Sequence, residues 1–170
     1  MSGEAAPLVV MGVCGCGKST AGALLAARLG RPFLDGDDFH PAANKAKMAA
    51  GIPLADEDRT PWLSRLGQLL AGADTRHAPP VLACSALKRS YRDLLRSYAP
   101  NAVFVHLDGS EATITGRLSA RAHEFMPGSL LASQLATLER LGPDEAHVLA
   151  DITLPPELLV DAVARLLAAG

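Results

Sequence analysis

The stretch Gly12-Val13-Cys14-Gly15-Cys16-Gly17-Lys18-Ser19-Thr20 constrains this chain more than any other. It follows the apolar run Leu8-Val9-Val10-Met11 and opens into Ala21-Gly22-Ala23-Leu24-Leu25, so G-x-x-x-x-G-K-S stands between an expected strand and an expected helix. Glycines let the backbone curl until successive N–H groups point inward, and the helix N-terminus adds partial positive charge. Such a cradle suits the phosphates of a nucleoside triphosphate. Lys18 can reach the β- and γ-phosphates, and the Ser19 hydroxyl can ligate Mg²⁺.

Bulk properties narrow what such a loop serves. A chain of 170 residues suffices for one α/β domain with a real core and is short for two. A formal net charge of −2 points to neither nucleic acid nor an acidic membrane as a partner. No apolar run approaches the length that spans a bilayer, and the first residues lack the basic start of a signal peptide. The 3 cysteines include two inside the phosphate loop, which argues against a disulfide framework and for a reducing cytoplasm. Cys14 and Cys16 with one distant Cys84 make poor zinc spacing. The loop's positive field is expected to lower a thiol pKa there and sensitise it to oxidants.

Strands and helices alternate along the chain. Strands are expected at Leu8–Met11, Pro32–Asp35, Val81–Cys84, Ala102–Leu107 and Val148–Ile152. Helices are expected after the loop, over Ala42–Ala50, from near Pro61 through Leu70, over Arg89–Tyr98, across 110–121 and 129–140, and from Pro156. Short apolar strands separated by helices predict a parallel sheet covered on both faces, one domain over 1–170, with ligands beyond the carboxyl ends of the strands.

Those strand ends carry the remaining chemistry. Strand two ends in Leu34-Asp35-Gly36-Asp37-Asp38-Phe39-His40-Pro41, a crowding of carboxylates that calls for a cation. In an extended segment Asp35 and Asp37 share a side, one suited to a metal through water and the other to a hydroxyl proton. Asp38 reads instead as a helix cap. Arg59 is a candidate fork for a substrate carboxylate, the competing reading being an ion pair with Asp56. Ser85-Ala86 forms a small-residue turn after strand three that admits a substrate, and Lys88 and Arg92, one helical turn apart, suggest that the substrate is an anion. The segment from Gly116 to Gly128 reads as a lid, with Arg117 and Arg121 on one helix face and Pro127-Gly128 as hinge. His77, His106 and His147 read as structural or surface residues.

Taken together, several of these stretches resemble the small P-loop gluconate kinases. They are Gly12–Thr20, Leu34–Pro41, Asn44-x-x-Lys47-Met48, Pro53-Leu54-x-Asp56-x-Asp58-Arg59-x-Pro61-Trp62, Cys84-Ser85-Ala86-Leu87-Lys88, Tyr91-Arg92-Asp93-Leu94-Leu95-Arg96 and Leu130-Leu131-x-Ser133-Gln134. The resemblance runs from residue 8 to about 152. It implies a fold similar to shikimate and adenylate kinases: an α/β P-loop kinase with a five-stranded parallel sheet in the order 2-3-1-4-5 and a helical lid over about 117–134. It also implies transfer from ATP to D-gluconate with Mg²⁺, giving 6-phospho-D-gluconate and ADP, in a homodimer.

By that likeness Gly12, Val13, Cys14, Gly15, Cys16, Gly17, Lys18, Ser19 and Thr20 would handle phosphates, and Ser19 and Asp35 the metal. Asp37 would orient or deprotonate the accepting hydroxyl. His40, Arg59, Ser85, Lys88 and Arg92 would hold the sugar acid. Arg117 would cover the adenine opposite Pro155, and Arg121 would reach the phosphates. Two departures stand out. Cysteines occupy positions 14 and 16 where the family has serines, and the usual Arg-x-x-His-Phe reads Arg121-Ala122-His123-Glu124-Phe125. Two other readings remain at this point: a kinase of another small carboxylate such as shikimate, and a nucleotide switch without transfer activity.

Overall fold

The computed structural model describes residues 5–72, 78–120 and 128–169. Five parallel strands form one sheet: β1 (Leu8–Met11), β2 (Phe33–Asp35), β3 (Val81–Ala83), β4 (Val103–Asp108) and β5 (His147–Asp151). Their spatial order is β2-β3-β1-β4-β5, the order implied by the resemblance. β1 pairs with β3 (Val9 beside Leu82) and with β4 (Val10 beside Val105), so the strand that feeds the phosphate loop lies at the centre.

Alternation along β1 builds the core. Leu8 and Val10 face α1 (Lys18–Leu29) and α7 (Pro156–Ala169), packing with Leu25, Leu159 and Val163. Val9 and Met11 face α3 (Asp56–Ala71) and α4 (Arg89–Tyr98), packing with Trp62, Leu63, Leu66 and Leu95. All four β1 side chains are thus buried, as a central parallel strand covered on both faces requires. Trp62 also donates its indole N–H to the Gly36 carbonyl at 2.8 Å inside the core. That bond pins α3 beneath the end of β2, a buried contact worth about 1 kcal/mol and more costly to leave half-made.

The remaining helices are α2 (Ala42–Ala49), α5 (Glu111–Ala120) and α6 (Gly128–Thr137), with a 3₁₀ turn over Gly36–Phe39. Two expectations are corrected here. α3 begins at Asp56, not near Pro61, because Asp58 accepts from the Ala55 amide at 2.8 Å and caps an acidic first turn. Pro61 then sits inside the helix and forfeits one bond, to the exposed Glu57 carbonyl. Nor does Asp38 cap α2, whose N-cap is Pro41 with no side-chain bond; Asp35 instead caps the 3₁₀ turn by accepting from the Asp37 amide at 3.1 Å.

Candidate active site

The phosphate loop joins β1 to α1 through three glycines at positive φ: Gly12 at 151°, Gly15 at 82° and Gly17 at 89°. A side chain at Gly12 would also strike the Cys16 sulfur, its Cβ falling 2.7 Å away. Gly17 is the N-cap of α1, which leaves the first amides of that helix facing the loop's mouth. Lys18 donates its ammonium to the Val13 carbonyl at 3.1 Å, lying across the loop. Ser19 and Thr20 are exposed at the mouth.

β2 delivers the acidic side. Ser19 Oγ donates to Asp35 Oδ2 at 2.9 Å, bringing the loop hydroxyl and the strand-end carboxylate together. A hydroxyl and a carboxylate oxygen are hard donors, the set that fits Mg²⁺ sharing its remaining positions with water and phosphate oxygens. Asp37 stands exposed two residues further on. Its charge is felt at the buried Cys84 thiol, at the end of β3, together with the charges of Lys18 and Arg59.

His40 is buried and stacks on Trp62 with ring centroids 4.1 Å apart. Asn44 Nδ2 donates to the Asp58 carbonyl at 2.9 Å, which fixes the amide's orientation, and the same nitrogen lies 3.2 Å from His40 Nδ1. Nδ1 must then accept, so Nε2 carries the proton and remains a donor. Burial lowers the imidazole pKa, with Asp37 pulling partly the other way, and the ring is neutral near pH 7.

Beside it lies a cluster built on Tyr91. The phenol donates to Asp56 Oδ1 at 2.5 Å and accepts from Arg59 Nη1 at 3.1 Å. Arg59 also donates to the Leu54 carbonyl at 2.9 Å. The Arg59 guanidinium carbon and the Lys88 ammonium lie 5.5 and 5.6 Å from the Tyr91 ring centre. Asp56 pairs with Lys88, Nζ standing 3.2 Å from its carboxylate oxygens, rather than with Arg59 as the competing reading had it. Bonds from Tyr91 and Lys88 hold the Asp56 carboxyl below its ordinary range, and the Asp56 bond raises Lys88. The Tyr91 phenol is pushed up, first by burial and then by the bond to Asp56.

Arg92 is the main correction. Its side chain is 0 % exposed and points into the body of the protein, where Nε meets Glu145 Oε1 at 2.7 Å. Nη1 donates to the carbonyls of Ala86 and Leu87 at 2.9 and 3.1 Å. Lys88 is the N-cap of α4 and its carbonyl accepts from the Arg92 amide at 3.2 Å, so the two are one turn apart as expected, but their side chains part, Lys88 to Asp56 and Arg92 to Glu145. Arg92 holds the turn from behind and offers nothing to a ligand.

The thiols at the loop differ from the expected lowering of their pKa. Burial raises the pKa of both Cys14 and Cys16, and the charge of Lys18 offsets this only in part. Ser85 follows β3, and its carbonyl accepts from the Gly12 amide at 3.3 Å. The Arg117 guanidinium on α5 reaches within 4.0 Å of where a Cβ on Gly17 would stand, placing a second cation over the loop. Pro155 is exposed just before α7 and accepts from the Leu159 amide at 2.9 Å. Arg121, His123, Pro127 and His77 lie outside the described residues. A cavity of about 480 Å³ opens at the ends of β4 and β5, beside Asp108, Ser110, Thr113, Arg140 and Asp151, and none of the expected site residues lines it.

Four participants went unassigned in the sequence. Gln134 on α6 accepts from the Cys14 amide at 2.6 Å through Oε1, a contact with no local signal beyond its place in a motif. Tyr91 and Asp56 lie within the quoted motifs, and a tyrosine between Lys88 and Arg92 was the available hint. Glu145 carries no signal at all, being one acid in a polar loop.

Comparison with known proteins identifies the family. Residues 14–140 match the shikimate kinase family. The chain is 46% identical over 148 residues to the thermosensitive gluconokinase of Escherichia coli K12, covering 87% of this chain and 78% of that one. It is 46% identical over 158 residues to the gluconokinase of Gluconobacter oxydans, covering 93% and 89%. A solved gluconokinase from Sinorhizobium meliloti superposes with a TM-score of 0.89 at 44% identity, covering 99% of this chain and 94% of that one. A parallel sheet ordered 2-3-1-4-5, a phosphate loop on its central strand and relatives of this closeness place the chain in the shikimate kinase family, among its gluconokinases.

Proposed function

We propose that this protein transfers the γ-phosphoryl group of ATP to the 6-hydroxyl of D-gluconate, yielding 6-phospho-D-gluconate and ADP. The observation that carries the reading is the contact of Ser19 Oγ with Asp35 Oδ2 at 2.9 Å, with Asp37 in the 3₁₀ turn that follows β2. It supports a metal anchor and a base side by side at the mouth of a phosphate loop.

The chain's own groups divide the work. The loop amides and Lys18 hold the β- and γ-phosphates, Lys18 exchanging the Val13 carbonyl for phosphate oxygens. Ser19 and Asp35 would hold Mg²⁺, which when bound draws charge from the phosphate oxygens. Asp37 orients the sugar's hydroxyl and takes its proton as the new O–P bond forms and the bond from phosphorus to the β,γ-bridging oxygen breaks. His40, through its Nε2 proton, and Ser85 face the polyol, while Arg59 and Lys88 supply positive charge for its carboxylate. Arg117 neutralises the phosphate side and, opposite Pro155, borders the nucleoside; Arg121 joins it on the transferring group. Most of the acceleration comes from position and fixed charge rather than from covalent chemistry.

The same reading carries a homodimer in the cytoplasm. No helix among the described residues is long and apolar enough to cross a membrane. The deciding experiment is ADP release from Mg-ATP with D-gluconate, other aldonic acids, shikimate or no acid. Turnover dependent on gluconate is expected; turnover only with another acid would replace the substrate, and acid-independent release would replace the reaction. Light scattering on the purified protein tests the dimer.

A further inference from the structure

The buried pair Arg92 and Glu145 has no part in the chemistry above, yet it sits behind the turn that does. Ala86 in that turn has φ 47°, the left-handed region, although it carries a Cβ. Its carbonyl and that of Leu87 both accept from one nitrogen of Arg92. The rest of the guanidinium is engaged by Glu145, Nε to Oε1 at 2.7 Å and Nη2 to Oε2 at 3.2 Å. Glu145 is fixed in turn by the Gly142 amide at 2.8 Å and Arg96 at 2.8 Å. The turn is held on its other side as well, because the Glu139 amide donates to the Leu87 carbonyl at 2.8 Å.

Only a planar fork spans this arrangement, with one edge on two carbonyls and the other on a carboxylate. A buried ion pair is seldom better for stability than apolar groups of the same shape, whereas it fixes direction strongly. We propose that Arg92 and Glu145 are positioning residues for the sugar acid: they hold Ala86 in its left-handed turn and thereby set where Ser85 and Lys88 meet the substrate. The inference rests on the gluconate kinase reading for the identity of that substrate, and on geometry alone for the turn.

The test compares the full-length protein with Arg92→Lys and Glu145→Gln, using Val163→Ala, buried on the opposite face of the sheet, as a destabilised control. Arg92→Lys keeps the charge and loses the fork; it is expected to raise KM for gluconate about tenfold while KM for Mg-ATP changes less than about twofold. Glu145→Gln is expected to move the same way, and the control to lower the melting temperature without moving either KM. Lowered melting temperatures with KM for gluconate unchanged, or equal rises in both KM values, would overturn the proposal. Should Arg92→Lys not fold, Glu145→Gln reads the same split. If another acid is the substrate, the split is read with that acid. If no acid is turned over, the substrate reading falls, and amide exchange over residues 85–89 decides: faster exchange in the variants supports the pair's role and unchanged exchange refutes it.

Discussion

Ser19 Oγ stands 2.9 Å from Asp35 Oδ2, although 16 residues separate the two along the chain. The first turn of α1 and the last residue of β2 meet there because β2 and β1 both flank β3 in a parallel sheet. Breaking either side of this contact removes one hard oxygen from the proposed metal site. Asp35→Asn is expected to raise the Mg²⁺ concentration for half-maximal rate about tenfold or more, and Ser19→Ala likewise. A Mg²⁺ titration at saturating ATP checks this; an unchanged midpoint in both would place the metal elsewhere.

Asp37 is exposed and makes no side-chain bond that holds the fold among the described residues, so its replacement should be read in rate rather than stability. Asp37→Asn is expected to lower kcat by about 10²- to 10⁴-fold while binding of a non-hydrolysable ATP analogue stays within about twofold. Calorimetry and steady-state kinetics on one preparation separate the two effects. Near-normal turnover would take the proton from this residue.

Acid should find Glu145. Burial alone would raise its carboxyl, but bonds from Arg92, the Gly142 amide and Arg96 hold it at about 2, against an ordinary 4.5. A depressed folded value contributes stability that is fully present above pH 4.5 and lost as pH falls toward 2. The whole contribution is about 3 kcal/mol, the free-energy equivalent of that shift. Urea midpoints at pH 7 and pH 3.5 should therefore fall more steeply for the natural protein than for Glu145→Gln. Parallel falls would mean that the carboxylate is not held this way.

Oxidants should spare the phosphate loop. Cys14, Cys16 and Cys84 are buried and free, and burial raises all three thiols, Cys84 to about 12. Labelling by a chromogenic disulfide at pH 7 should be slow for the folded protein and complete for 3 thiols after denaturation. Rapid labelling of one thiol in the native state, with loss of activity prevented by nucleotide, would reverse this.

Much of the molecule was legible in its sequence because the determining signals are local. The phosphate loop is a spacing, β1 is an unbroken apolar run, and Asp35 and Asp37 lie in one short acidic stretch. What was not legible depends on direction. Lys88 and Arg92 look alike in a sequence, yet one stands at a helix cap facing out and the other is swallowed by the core. Pro61 imitates a helix start that three acids place five residues earlier. Partners for Arg92 and the Cys14 amide arrive from positions 53 and 120 residues away, beyond the reach of any local pattern.

The bond from the Gly12 amide to the Ser85 carbonyl joins the phosphate loop to the turn after β3 through main chain alone. In the proposed enzyme this bond would help to set the gap between the two reactants, a ruler made of peptide groups that Arg92 braces from behind through the Ala86 and Leu87 carbonyls. Redesign of the proposed site for a different polyol acid would then exchange the exposed residues of the turn while keeping both the main-chain bond and the Arg92 brace. Insertions in either loop, by contrast, would recalibrate the ruler and should silence the enzyme whatever the substrate.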